Sequence, residues 1–211
     1  MVECGRLVPH RSGGIRMRHD DLPLIASNSR LARRVGFWWG FAEGVFFFIV
    51  PDVYISFATL FSLRAGAMAW LCSIAGSTLA MVALYVLVVG LGSDYLAFLG
   101  WVPGISDRLV YRVNQSLATG GLPYNPLLAL GGVPLKVYGG VAFTLGVPVR
   151  SVLIWTVFAR LVRIAPTFAG VASVRLLFGH RLDARPVTCS ALLGLFWAGF
   201  YVYYFIHMSR I

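Results

Sequence analysis

Apolar residues fill long blocks of this chain, and the blocks differ in whether they are broken. The first interrupted block, residues 37–63 (FWWGFAEGVFFFIVPDVYISFATLFSL), carries Glu43 and Asp52 and is broken at Pro51. A membrane-crossing helix needs about 20 largely apolar residues. Proline removes a helical N–H and clashes with the preceding turn. The pattern therefore predicts a re-entrant hairpin that turns at Ile49-Val50-Pro51-Asp52 and leaves by the side it entered. An acid at mid-membrane costs roughly 2.5–3.5 kcal/mol on insertion scales, and irregular backbone is tolerated there only inside protein or beside a wet cavity. The second interrupted block, residues 127–147 (LLALGGVPLKVYGGVAFTLGV), holds Pro134, two Gly-Gly pairs and Lys136, the chain's only lysine. It is expected to be re-entrant too.

The remaining blocks are continuous. Residues 65–92 contain no charge and repeat small residues (Gly66, Ala69, Ser73, Gly76, Ser77, Ala80) at three- and four-residue spacing. That face suits close helix packing in a membrane. Residues 150–178 form a second span that includes Arg160 and Arg163 and is expected to kink at Pro166. Residues 187–208 form a third, ending in the interface-type aromatic run FYVYYF. Between the first span and the second interrupted block, residues 93–126 are polar. There Ile105, Leu109, Val113 and Leu117 recur at helical spacing, which predicts an amphipathic interfacial helix. Residues 1–34 read as a disordered tail with seven arginines and no apolar signal-peptide core, with Met17 an alternative start. The arginines place this tail, and the loop bearing Arg175, Arg181 and Arg185, on the cytoplasmic side.

The expected architecture is an all-α integral membrane protein: a tail (1–34) and a membrane domain (35–211) of about three transmembrane helices plus two opposed re-entrant hairpins. The order hairpin-then-span occurs twice, and residues 59–70 (TLFSLRAGAMAW) align without a gap to 144–155 (TLGVPVRSVLIW) at Thr, Leu and Trp. With the matching breaks at Pro51 and Pro134, this supports an inverted repeat, which places sites near the midplane.

Composition narrows the function classes. The 211 residues are 58% hydrophobic with a formal net charge of +10, and mean hydropathy is +0.77. The basic residues sit at the ends of apolar blocks, which fits lipid headgroups and positive-inside topology and argues against nucleic acid. Cys4, Cys72 and Cys189 are scattered, as are the four histidines, so neither a disulfide framework nor a metal site is expected, and no cofactor. No Ser/His/Asp set or phosphate-cradling loop is evident, so an enzyme is not expected. The Arg-over-Lys and Ala/Gly/Val-rich usage fits a bacterial, GC-rich genome, and the expected location is the bacterial cytoplasmic membrane, crossed several times with the N-terminus cytoplasmic.

The candidate site residues are Glu43, Asp52, Lys136, Arg160 and Arg163. Each has two readings. Asp52 is either a turn cap beside Pro51 or a substrate- or proton-linked acid. Glu43 either snorkels at a wet helix entry marked by Gly40 and Gly44 or belongs to the site. Lys136 either pairs with one of these acids or serves function, as a headgroup-phosphate contact or a charge gate. Arg160 and Arg163, about one turn apart, either bind a phosphate together or counter the acids.

With both broken blocks in view, residues 35–178 resemble the DedA-like superfamily, also called VTT or SNARE-associated Golgi proteins. The resemblance rests on Glu43, Pro51 and Asp52, on GSTLAMVALY ending at Tyr85, and on GVPLKVYGGVAFTLGVPVR followed by Arg160. It implies two facing re-entrant hairpins and scrambling or flipping of phospholipid or lipid-linked phosphate, in some members driven by protons. By resemblance, Glu43 and Asp52 match the family's essential acids, and Lys136 matches the second basic residue of its Arg-x-x-Pro-x-x-Arg pattern. The first basic position falls on uncharged Gly131, for which Arg160 or Arg163 is the substitute. The chain is most similar to the shorter, YqaA-like branch. Expected partners are membrane lipids and protons, with a homo-oligomer left open. The alternative is a non-transporting membrane scaffold that supports envelope integrity.

Overall fold

The computed structural model describes residues 28–46, 49–92, 94–100, 105–120 and 133–208. Among them the regular elements are α-helices: α1 Ser29–Val45, α2 Asp52–Phe61, α3 Leu63–Leu91, α4 Asp94–Gly100, α5 Asp107–Gly120, α6 Leu135–Thr144, α7 Val149–Ala184 and α8 Pro186–Met208. Three stretches are long and apolar enough to cross a membrane: α3, α7 and residues Pro186–Ile206 of α8. The short helices α2 and α6 are different. Each has 10 residues, about 15 Å of helix against a hydrocarbon core of about 30 Å, so neither can span.

Proline starts both short helices. Pro51 and Pro134 occupy the N-cap positions of α2 and α6. Each short helix is followed by a long apolar one, α3 or α7. The first junction is the single residue Ser62, whose hydroxyl accepts from the Ala65 N–H at 3.2 Å. The second is a glycine-terminated turn: Gly146 has φ +74°, and the Val147 and Gly146 N–H groups donate back to Ala142 and Phe143 carbonyls at 2.9 and 3.0 Å. This closes the end of α6 in a conformation that favours glycine.

Helix α3 is the axis of the packing. Its first half (Ala65, Ala69) meets Ile55 and Ala58 of α2, Ala32 of α1 and Ile164 of α7 in one apolar cluster. Its second half (Ala80, Met81, Leu84, Val88) meets Val137 and Val141 of α6 and Val152, Trp155 and Ala159 of α7 in another. The residue order shows α3 and α7 to be antiparallel, with the two short helices at opposite ends of the pair. Helix α8 is peripheral, touching α2 and α7, and most of its large apolar residues are exposed.

The α1–α3 contact is a seam of small residues. A Cβ on Gly36 would collide with Ala69, on Gly40 with Ser73, on Gly44 with Ala80, and on Gly76 with the Phe37 carbonyl. The Ser77 hydroxyl donates to the Gly40 carbonyl at 3.1 Å. Small residues every four positions allow this backbone approach, which gives dispersion contact where lipid supplies no hydrophobic drive. The small face expected on 65–92 is thus used for packing. Gly40 and Gly44 do not mark a wet entry to α1; they lie in the dry seam.

Other expectations need correction. Helix α1 begins at Ser29, ahead of the expected end of the tail at residue 34, because the Asn28 side chain caps it by accepting from the Arg30 and Leu31 N–H groups at 3.0 and 3.2 Å. Helix α7 stays helical through Pro166 and loses helical geometry at Phe178 (φ −121°, ψ 16°), next to Gly179. Arg175 and Arg181 lie on α7, not in a loop. Arg175 donates bidentately to Asp183 at 2.6 and 3.2 Å; an unbroken helix would separate residues eight apart by about 12 Å, so the break makes this pair. The amphipathic helix is found as α5, with Ile105, Leu109, Val113 and Leu117 all buried. Residues 1–27 and 121–132, including Gly131 and the start of the second interrupted block, lie outside the described residues.

Replacing Gly40 by Val is expected to separate α1 from α3 and destabilise the protein by about 1–3 kcal/mol. Gly170, which has open space around its Cα, provides the control. Gly170→Ala should leave stability unchanged or raise it by up to about 1 kcal/mol. Thermal unfolding of the detergent-purified protein checks both.

Candidate functional site

A chain that breaks a helix inside an apolar bundle must satisfy the freed backbone groups. Around Pro51 it does so with aromatic side chains. The Ile49 carbonyl accepts from the Trp39 indole N–H at 2.9 Å, and the Val50 N–H donates to the Tyr201 hydroxyl of α8 at 2.8 Å. One turn into α2, the Ser56 hydroxyl accepts from the Trp197 indole N–H at 2.9 Å. Two residues of α8 therefore hold the break and the helix that follows it.

The break places Asp52 in the first turn of α2, where the helix dipole favours a carboxylate. Pro51, not Asp52, is the N-cap, and no side chain caps this helix. Asp52 is buried, and the Arg163 guanidinium and Thr167 hydroxyl of α7 act on it. Its Oδ2 has no hydrogen-bond partner among the described residues.

Glu43 lies near the end of α1. It is 3% exposed and forms an ion pair with Arg160 of α7, itself 1% exposed. Glu43 does not snorkel to an interface; α7 covers it. Arg160 thus pairs with Glu43, while Arg163, about one turn further along the same helix, is half-buried. Lys136 occupies the first turn of α6, is 2% exposed, and its carbonyl accepts from the Tyr95 hydroxyl at 3.2 Å. The glycines after it bring α6 close to its neighbours: a Cβ on Gly139 would strike Met81, and one on Gly140 the Tyr95 ring.

A cleft lies beside these charges. Val133, Leu135 and Tyr138, at the start of α6, form one wall, and Trp155, Ala159, Arg160 and Arg163 of α7 form the other. Residues 155, 159 and 163 are spaced by four, so one stripe of α7 lines it. Among the described residues, no group of three or more His, Cys, Asp or Glu side chains is placed to hold a metal ion.

None of the family models, curated proteins and solved structures compared with the chain matches it.

Four of the contributors just described were not singled out from sequence. Thr167, Trp155 and Tyr138 look like ordinary members of apolar helices. Tyr201 sits in a run that reads as an interface belt. Only the need to satisfy the Val50 amide could have called for a distant hydroxyl. Tyr201→Phe is expected to leave that amide without its partner, costing about 1–3 kcal/mol. It should also speed hydrogen exchange in a peptide covering residues 49–51. Unchanged exchange would show that the hydroxyl does not hold the break.

Proposed function

We propose that this chain is a DedA-like membrane protein that moves phospholipid or lipid-linked phosphate between leaflets. The observation that carries this reading is the arrangement of charge: Glu43 in a buried ion pair with Arg160, and a second buried acid, Asp52, at the start of α2 within the field of half-buried Arg163 on the same apolar helix. Charges inside a membrane are expensive, and they mark transport pathways far more often than they stabilise bundles. The two proline-started half-helices at opposite ends of the α3–α7 pair are read as re-entrant segments of an inverted repeat entering from opposite faces. That arrangement brings half-helix termini to a central site. Arg160 and Arg163 stand in for the basic position that the family pattern would place at Gly131.

In this mechanism an arriving phosphate competes with the carboxylates for the guanidinium groups, and protonation of Glu43 or Asp52 weakens their hold on Arg160 and Arg163. The reading has no covalent step, so the chain acts as a transporter and not an enzyme. By the positive-inside rule the N-terminus is cytoplasmic, in a bacterial inner membrane.

The test is dithionite bleaching of fluorescent lipid in liposomes holding the purified protein. Bleaching beyond the outer leaflet is expected for the natural chain and should be lost in Asp52→Asn and Lys136→Ala. No bleaching above empty liposomes, with and without a proton gradient and with lipid-linked phosphate as well as phospholipid, would overturn the proposal in favour of a non-transporting scaffold.

A further inference from the structure

The two short helices begin alike but are charged oppositely. Helix α2 carries its own anion, Asp52, in the first turn. Helix α6 has no acid in its first turn, no side-chain cap at Pro134, and Lys136 as its second residue. A helix N-terminus presents uncapped N–H groups and a partial positive charge, so α6 leaves a demand for negative charge that its own sequence does not meet. Taken alone this would mean little, because such an end can be left to water.

The cleft at that end supplies the second observation. Its polar lining consists chiefly of donors. Trp155 is 6% exposed and its indole N–H has no hydrogen-bond partner among the described residues. Arg160 pairs with Glu43 through Nη2, while its Nε and Nη1 have no hydrogen-bond partner among the described residues. Arg163 completes the wall and Tyr138 contributes its ring and hydroxyl. Buried donors without acceptors are costly, and native structures place few of them without a purpose. Arginine has five N–H groups in a planar fork suited to oxyanions, so Glu43 leaves capacity for a second acceptor.

We propose that the cleft between the start of α6 and the 155–163 stripe of α7 is an oxyanion subsite. It would take a phosphate group on the α6 N-terminus, the free edge of Arg160 and the Trp155 indole. It deepens the transport reading and rests on it for the source of the phosphate, a lipid headgroup. Free inorganic phosphate presents the same chemistry. The site prefers an exposed, anionic phosphate to the phosphate of a zwitterionic headgroup, whose ammonium group would be brought against the Arg160 and Arg163 guanidinium groups. Trp155 is the specificity-determining residue, through its N–H.

Native mass spectrometry of the full chain, released from nanodiscs of phosphatidylcholine doped with phosphatidic acid, reads the bound lipid. The natural chain should retain phosphatidic acid over phosphatidylcholine. Trp155→Phe, which keeps a ring in the same place, should reduce that retention about tenfold, the worth of one hydrogen bond to a charged group. Pro134→Asp supplies a carboxylate cap at the α6 N-terminus and should block retention without unfolding the helix. Displacement by inorganic phosphate would show that the free oxyanion suffices, whereas retention without displacement would identify the lipid headgroup as the ligand; either supports the subsite. No preference for phosphatidic acid, or equal retention by both variants and the natural chain, would overturn it. Preferential binding in a chain that fails to move lipid would leave the subsite standing and remove the transport reading. Lipid movement without preferential binding would do the reverse.

Discussion

A guanidinium enclosed by apolar helices needs a counter-charge, and in this chain Glu43 provides it for Arg160. The rest of the site follows from that need. For Glu43 to reach α7, α1 must lie flat against α3, which the seam at Gly36, Gly40 and Gly44 permits. For α7 to present Arg160 inward, the stripe containing Val152, Trp155 and Ala159 must pack on α3 and α6. The second acid, Asp52, is buried on the other side of the break at Pro51, where the charge of Arg163 on α7 acts on it. One helix thus carries the positive charges that act on the two acids flanking the break at Pro51.

That arrangement is a poor way to stabilise a bundle. The desolvation cost of a buried ion pair commonly equals or exceeds its Coulombic gain, and apolar residues of similar volume often do as well or better. On the transport reading proposed above, its place at the break in the first apolar block, beside a cleft at the start of α6, serves lipid movement. The aromatic residues of α8 fit this view. Trp197 and Tyr201 satisfy polar groups at the break and in α2, while most of the large apolar side chains of α8 remain exposed.

The sequence made the coarse architecture legible because apolar block length and proline position act locally. The three long helices, the helix starts at Pro51 and Pro134 and the buried face of α5 all follow from spacing within a few residues of each feature. The errors were also local in origin. The Asn28 cap moved the start of α1 forward, and the loss of helical geometry at Phe178, beside Gly179, was not expected. The pairings were not legible. Nothing within the sequence near Glu43 specifies Arg160 over Arg163 or Lys136, because the choice depends on the relative rotation of α1 and α7 about α3. The partnership of Val50 with Tyr201, 151 positions away, is likewise set only by tertiary packing.

On the proposed transport reading, the buried charges serve lipid movement and not stability. The most direct test is the double replacement Glu43→Leu with Arg160→Met, measured for both thermal stability and lipid translocation. The account predicts a folded protein as stable as the natural chain, or more stable by up to about 1–4 kcal/mol, that moves no more lipid than empty liposomes. A double variant that folds and translocates lipid at the natural rate would contradict it.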